Sequence, residues 1–297
     1  MIQPSNTFSP EEILERVRIL RYKVHEKKIG EVWEDFTVAG FRPILIKGWA
    51  AAQFYPKPYR REFTDLDLLI APEQFRDAKA FLKNSERSYP VDLHHGARRH
   101  DTLSFAEIFA ESETVKCGSV EVRVPRAEDH LRILCVHWLT DGGAYREKLW
   151  DVYYAVANRS SNFDWERLLN VVSPVRRRWI VCTIGLAHKY LGLPVEDTPI
   201  AAETENLPSW LSKTVEKEWR SEVKLQPLPS FRHRRKEFKE QLKKRFPPNP
   251  IHAAVSVEGS FDKRIRIGYQ LENFFRRLLP LLERFCENLK SKIKNDY

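Results

Sequence analysis

Apolar side chains recur at helical spacing near the start of the chain. Four of them lie three or four residues apart and so share one helix face: Ile13, Val17, Leu20 and Val24. The segment Ser9-Pro10-Glu11-Glu12 just before them has the residue types of a capping box, with proline at the first helical position. The pattern predicts a helix that runs to about Lys28, followed by a second helix over residues 30–39.

The next apolar segments are short and are bounded by glycine, proline or polar residues, as is typical of strands. Strands are predicted over residues 43–48, 65–70, 91–94 and 119–124. The last of these alternates between apolar and polar residues, which is typical of a half-buried strand. Helical patterns at 49–54 and 73–83 lie between the strands. The first 125 residues are therefore predicted to form an α/β or α+β domain.

After Pro125 the pattern is helical. Helices are predicted over residues 129–140, 145–158, 165–172, 175–191, 209–219, 231–246 and 269–294. A proline-rich joint at 226–229 precedes the basic helix 231–246. These changes divide the chain into three predicted regions, residues 1–125, 126–225 and 226–297. The last helix carries an apolar stripe that could pack internally or against a protein partner: Leu271, Phe274, Phe275, Leu278, Leu282 and Phe285.

Composition places the 297-residue chain among globular proteins, with 42% hydrophobic and 31% charged residues. No segment approaches the roughly 18 consecutive apolar residues that a membrane-spanning helix needs. The N-terminus lacks the basic and apolar regions of a signal peptide, and the four cysteines are widely scattered without a CxxC pair. We therefore expect a cytoplasmic protein with free thiols and no membrane association.

Positive charge is concentrated at the end of the chain. Residues 211–297 hold 21 Lys and Arg against 11 Asp and Glu, whereas residues 1–210 hold 29 against 30. A local basic field attracts phosphates, above all those of nucleic acid. Candidate nucleic-acid-binding residues on the basic helix are Arg234, Arg235, Lys239 and Lys243. The alternative is that these residues form an ordinary solvated helix face.

Two aspartates in the second predicted strand carry the clearest chemistry. Asp65 and Asp67 are two residues apart, so their side chains are predicted to share one face of the strand. Adjacent carboxylates repel each other unless a cation lies between them, and Mg²⁺ suits them because it prefers oxygen ligands. Asp92, in the next strand, is the candidate for a third carboxylate of a two-metal site.

Residues that could bind phosphate lie near these carboxylates. Lys47 and Gly48 stand where a predicted strand meets a helix N-terminus, where free N–H groups favour anions. Arg61 precedes the carboxylate strand, and His94 shares the face of Asp92 and could orient a phosphate. The alternatives are a solvated strand end for Lys47 and a surface ion pair for Arg61.

Taken together, seven segments resemble the uncharacterised nucleotidyltransferase family of the DNA polymerase β superfold. They are Ile46-Lys47-Gly48, Tyr55-Pro56-x-Pro58-x-Arg60-Arg61, Asp65-Leu66-Asp67-Leu68-Leu69-Ile70, Val91-Asp92-Leu93-His94, Leu131-x-x-Leu134-Cys135-Val136-His137, Leu149-Trp150-Asp151-Val152 and Asp164-Trp165. The resemblance covers roughly residues 10–195. It implies the α+β class, with a mixed sheet flanked by helices in a catalytic domain (1–125) and a helical domain after it.

The resemblance also implies that Asp65 and Asp67 bind Mg²⁺ and that Asp92 is the third carboxylate and the base for the acceptor hydroxyl. We predict an enzyme that uses two Mg²⁺ ions to move NMP from an NTP to an acceptor hydroxyl, releasing pyrophosphate. RNA, including a tRNA end, is the favoured acceptor because of the basic C-terminal region. The alternatives are a transferase of the same fold acting on a small molecule or peptide, including γ-phosphoryl transfer, and a nucleic-acid-binding protein with a vestigial site.

Overall fold

A computed structural model of the protein describes residues 8–85, 90–97, 100–226, 228–231 and 234–279. By their contacts the residues form two compact units. The first comprises Met1–Leu134 and Asp151–Val172, and the second Cys135–Trp150 and Ser173–Tyr297. The predicted division at residues 125 and 225 stays a prediction.

A small mixed sheet forms the centre of the first unit. Its strands are β1 (Ile44–Ile46), β2 (Leu66–Ile70) and β3 (Val91–His95), with β2 in the middle. β1 pairs with β2 antiparallel, and β2 pairs with β3 parallel. Every residue of β1 and β2 is buried, as expected for short apolar strands covered on both faces. The predicted mixed sheet is therefore confirmed.

A separate hairpin follows in the chain, formed by β4 (Glu113–Cys117) and β5 (Val120–Val124). Its two-residue turn has Gly118 at φ +61°, a left-handed conformation that glycine adopts without steric cost. β5 was predicted, but β4 was not, because its sequence Glu-Thr-Val-Lys-Cys is largely polar and half-exposed.

Helices make up most of the remaining described structure. In chain order they are α1 (Pro10–Val38), α2 (Gly48–Ala52), α3 (Phe75–Asn84), α4 (Phe105–Ala110), α5 (Ala127–Thr140), α6 (Leu149–Ala157), α7 (Trp165–Asn170), α8 (Pro174–Leu191), α9 (Ala201–Glu205), α10 (Ser209–Arg220), α11 (Arg235–Arg245) and α12 (Pro250–Ser256). Residues 267–279 are also helical. The rest of the predicted C-terminal helix, including Leu282 and Phe285 of the apolar stripe, lies outside the described residues. None of the helices that the structure describes is long and apolar enough to cross a membrane.

The N-terminal helix α1 is continuous where two helices were predicted. The capping box is present, with the Ser9 hydroxyl accepting from the Glu12 N–H and the Glu12 carboxylate accepting from the Ser9 N–H. Gly30 does not end the helix. Instead it is buried, and a Cβ at this position would come within 3.4 Å of the Val120 side chain of β5. Gly30 therefore marks the place where α1 packs against the hairpin.

A buried charge network fixes the segment after β3 to helix α5. Arg132 is fully buried, and its Nε donates a hydrogen bond to Asp101 Oδ2 at 2.8 Å, while its Nη2 donates to Asp129. Arg167 donates two further hydrogen bonds to Asp129, at 3.0 and 2.8 Å. Burial raises the pKa of Asp101, although Arg132 opposes this effect. The network matters for the site because His100, next to Asp101, packs its ring edge-on against His94 of β3.

Replacing Arg132 should destabilise the first unit strongly. Arg132→Met leaves Asp101 and Asp129 buried with less of their compensating charge, so we expect the free energy of unfolding to fall by about 3–5 kcal/mol. Arg76→Met, at a side chain that is 96% exposed on α3, should cost less than about 0.5 kcal/mol. Urea unfolding of both variants measures the difference, and equal costs would contradict the structural role of the network.

Candidate active site

The pairing of β2 with β3 brings together two of the predicted carboxylates. In the parallel register Asp67 lies opposite Asp92, and Leu69 lies opposite His94. Asp92 and His94 are two residues apart and so lie on the same face of β3. The sheet therefore places Asp67, Asp92 and His94 side by side.

The three side chains are close enough to share one cation. His94 Nε2 lies 2.9 Å from Asp67 Oδ1 and 3.4 Å from Asp92 Oδ2. One potential ligand atom of each residue lies within 4.8 Å of the other two. The side chain of Asp67 is 8% exposed and that of Asp92 is 60% exposed, so the cluster is buried at one end and open at the other.

Lys47 supplies positive charge to this cluster. Its Nζ lies 2.6 Å from Asp67 Oδ1 and 3.3 Å from His94 Nε2, and its side chain is 8% exposed. Burial by itself would favour the neutral form of Asp67. The hydrogen bond with His94 and the charge of Lys47 outweigh burial, and they lower the pKa of Asp67. The structure thus places the predicted phosphate ligands Lys47 and His94 directly at a predicted metal ligand.

The backbone at Lys47 has an unusual conformation, with φ +53° and ψ −148°. Positive φ is uncommon for residues other than glycine and is concentrated at functional sites. The N–H of Lys47 donates to His130 Nε2 at 3.1 Å, and its carbonyl accepts from the N–H of Ala51 at 2.8 Å. These two bonds hold the turn between β1 and α2 in place.

His130, on α5, is a site residue that sequence reasoning missed. It is buried, and desolvation lowers its pKa to about 3. The ring is therefore neutral, and because Nε2 accepts from Lys47, the proton is assigned to Nδ1. No sequence signal could have linked it to Lys47, because the two residues are 83 positions apart and the pattern of α5 identifies His130 only as a helix residue.

Gly48 begins α2 with φ +31° and is buried. A Cβ at this position would lie 3.5 Å from the carbonyl oxygen of Asp65, so the turn passes close to the start of β2. α2 is five residues long. Because the N–H of Lys47 already donates to His130, that group is engaged within the protein rather than directed at a phosphate.

Asp65 stands apart from the carboxylate cluster. It is exposed, immediately precedes β2, and does not belong to the group formed by Asp67, Asp92 and His94. Its side chain makes no hydrogen bond or ion pair with any residue in the described ranges. Asp65 is therefore free to change its side-chain conformation, unlike the buried Asp67.

Arg61 is held by an aspartate of α6. Its Nε and Nη2 each donate a hydrogen bond of 2.8 Å to the two carboxylate oxygens of Asp151, and the Tyr55 hydroxyl donates to the same carboxylate at 2.7 Å. Burial of Arg61 opposes its charge, but the hydrogen bonds and the charge of Asp151 raise its pKa, and Asp67 adds to this effect. Asp151 thus fixes Arg61 as a permanent cation whose charge acts on Asp67.

The four candidate nucleic-acid-binding residues belong to the second unit. Arg234, Arg235, Lys239 and Lys243 are all exposed, on α11 or at its start. The guanidinium of Arg234 lies 5.0 Å from the ring centre of Phe231. Arg232 and His233, in the same basic segment, lie outside the described residues.

Comparison with known proteins identifies one family. A family model described as "Uncharacterised nucleotidyltransferase" matches residues 15–192, which is more than half of the chain. The matched range includes all the residues of the cluster, together with Lys47, Arg61 and His130. No curated protein matches the chain.

The neutral buried His130 should make folding stability depend on pH. An unfolded histidine has a pKa of about 6.5, so below that value the unfolded state binds a proton that folded His130 refuses until about pH 3. Stability therefore falls as the pH falls, and between pH 7 and pH 5 His130 should account for a loss of about 2 kcal/mol.

His130→Gln keeps a side-chain acceptor for the Lys47 N–H and should remove this part of the pH dependence. Urea unfolding at pH 5, 6 and 7 compares the variant with the unmodified protein, and His95→Gln, at an exposed histidine of β3, is the matched control. If His130→Gln leaves the slope of stability against pH unchanged, His130 is not a buried neutral base.

Proposed function

The chain belongs to the uncharacterised nucleotidyltransferase family, and from this membership we propose that it transfers NMP from an NTP to an acceptor hydroxyl and releases pyrophosphate. The observation that carries the proposal is the cluster on the parallel strands β2 and β3. There His94 Nε2 lies 2.9 Å from an oxygen of Asp67 and 3.4 Å from an oxygen of Asp92. A site of this kind suits a reaction on phosphates because a divalent cation can bind a carboxylate and a phosphate together.

The donor set is compatible with Mg²⁺. Asp67 and Asp92 offer carboxylate oxygens, and the exposed Asp65 at the start of β2 offers a third. We propose that these three aspartates hold two Mg²⁺ ions. When bound, the ions neutralise the charge of the triphosphate and make the acceptor hydroxyl a better nucleophile.

Each nearby side chain has a proposed role in the transfer. Asp92, the most exposed member of the cluster, accepts the proton of the acceptor hydroxyl. The hydroxyl oxygen attacks the α-phosphorus, the bond between the α-phosphorus and the oxygen that bridges to the β-phosphate breaks, and pyrophosphate leaves. Lys47, Gly48, Arg61 and His94 are proposed to contact the phosphates of the nucleotide. Arg61 contributes a fixed charge, since Asp151 holds its guanidinium in place through two hydrogen bonds.

We propose RNA, including a tRNA end, as the acceptor. The support comes from exposed cations in the second unit, on α10 and α11. A groove of about 620 Å³ is lined by Lys213 and Lys217 of α10, Lys243 of α11 and Arg266. The groove also contains two glutamates, of which Glu218 is paired with Lys244 at 2.6 Å. The other lysines and the arginine of the groove carry a net positive charge that can bind the phosphates of an RNA backbone. Such phosphate contacts give affinity but do not distinguish one RNA sequence from another.

Removing a cluster carboxylate should abolish transfer. Asp67→Asn removes the charge that would bind the cation, and Asp92→Asn removes the proton acceptor, so each should lower NMP transfer by at least about 100-fold. The measurement follows label from α- and γ-labelled NTPs into total small RNA with Mg²⁺. Asp77→Asn, at an exposed side chain of α3, is the control and should retain activity.

The position of the label distinguishes the alternatives. Label from the α-phosphate in RNA that disappears in Asp67→Asn supports the proposed reaction. Label from the γ-phosphate alone indicates a kinase of the same fold. NTP binding without transfer to RNA indicates a small-molecule or peptide acceptor, and RNA binding without any transfer to any acceptor indicates a vestigial site.

The basic groove should determine how RNA binding depends on salt. Lys213→Glu with Lys217→Glu changes two lysines of the groove, and Lys239→Glu with Lys243→Glu changes one lysine of the groove and one exposed lysine beside it on α11. Each double variant should weaken RNA binding and reduce the slope of log affinity against log salt by about one for each lost phosphate contact. The matched control changes the same charge on exposed lysines of the first unit, Lys27→Glu with Lys79→Glu. Equal slopes for all three double variants would exclude α10 and α11 as the RNA-binding surface.

A further inference from the structure

The side chain of Lys47 occupies the place where a cation is needed. Its Nζ lies 2.6 Å from Asp67 Oδ1 and 3.3 Å from His94 Nε2, which are the same groups that form the candidate metal cluster. Asp67 Oδ1 therefore accepts from Lys47 while it also contacts His94 at 2.9 Å. For a metal to bind Asp67 Oδ1, either Lys47 or His94 must give up its contact with this oxygen.

Like charges make Lys47 the partner that must leave. An ammonium and a divalent cation bound to one buried carboxylate repel each other strongly, because the surroundings screen charges less than water does. Lys47 and Asp67 are each only 8% exposed, so water screens this repulsion little. Without a metal, the same burial makes the ammonium necessary, because an unpaired carboxylate at Asp67 would be costly.

The backbone allows the side chain to move while the turn stays in place. The N–H of Lys47 is bound by the buried His130, and its carbonyl by the N–H of Ala51 in α2. Its left-handed φ of +53° is therefore held by hydrogen bonds of its own N–H and carbonyl groups, which do not involve the ammonium. The four-carbon stem of lysine is flexible, so Nζ can leave Asp67 without disturbing β1 or α2.

We propose that Lys47 is a built-in competitor of the metal: its ammonium neutralises Asp67 until a nucleotide arrives, and the triphosphate then draws the ammonium away and frees the carboxylate for the cation. The inference rests on the proposed function, since it requires a divalent cation at Asp67. Its consequence is thermodynamic coupling, because the metal binds weakly alone and tightly with the nucleotide.

Metal binding without catalysis tests the inference. Free Mn²⁺ is titrated by electron paramagnetic resonance, with and without an NTP analogue that cannot be cleaved between its α- and β-phosphates. We compare the unmodified protein, Lys47→Met, Lys47→Gly and the control Lys57→Met, whose lysine is 52% exposed and pairs with Glu15. Both Lys47 variants leave Asp67 without its ammonium, and Lys47→Gly offsets part of that cost because glycine adopts the positive φ without steric strain.

We expect both Lys47 variants to bind Mn²⁺ at least about tenfold more tightly than the unmodified protein without the analogue, and to gain less from adding it. Addition of Mn²⁺ to the metal-free proteins should raise the melting temperatures of both Lys47 variants by more than it raises that of Lys57→Met. If the unmodified protein binds Mn²⁺ and the Lys47 variants bind it equally or more weakly, the inference fails while the metal site of the proposed function stands. If no variant binds Mn²⁺ with or without the analogue, the metal site of the proposed function fails, and the inference fails with it.

Discussion

The pairing of the central strand β2 is the constraint on which the site depends. β2 is paired on both sides, and its register with β3 sets Asp67 beside Asp92. Because side chains alternate along a strand, a slip of one residue would turn Asp67 to the opposite face and bring apolar side chains to the site. The apolar residues Leu66, Leu68 and Leu69 of β2 are all buried, so packing on both faces resists such a slip. The core therefore specifies the geometry of the carboxylates.

Buried charges are neutralised in two ways in the first unit. In the network around Arg132, each aspartate has a permanent arginine partner and no further group is needed. At the cluster, Asp67 has a lysine that can leave, and Asp92 remains largely open to solvent. The first arrangement fixes the segment that follows β3, and the second leaves the carboxylates able to exchange their partner. Rigidity and the proposed chemistry thus depend on different ion pairs.

Much of the fold and the carboxylates of the site could be predicted from the sequence. The short apolar runs at β1, β2 and β3 predicted the strands, and their succession predicted that Asp92 would lie near Asp67. The two-residue spacing also predicted that Asp65 would join Asp67, whereas Asp65 precedes β2 and stands apart from the cluster. The sequence could not show that Lys47 turns toward Asp67, because this depends on a left-handed backbone at a residue other than glycine. Nor could it show His130 behind that turn, because the contact joins residues 83 positions apart. Local patterns predict elements, whereas such long-range contacts depend on tertiary packing.

The unequal exposure of Asp67 and Asp92 has a consequence for how such a protein can diversify. Substitutions near Asp67 disturb the core and the sheet, so few are compatible with folding. Substitutions around Asp92, whose side chain is 60% exposed, change the surface that an incoming molecule meets and leave the buried half intact. Surface changes around Asp92 can therefore alter which molecules reach the cluster while Asp67 and its buried partners stay the same.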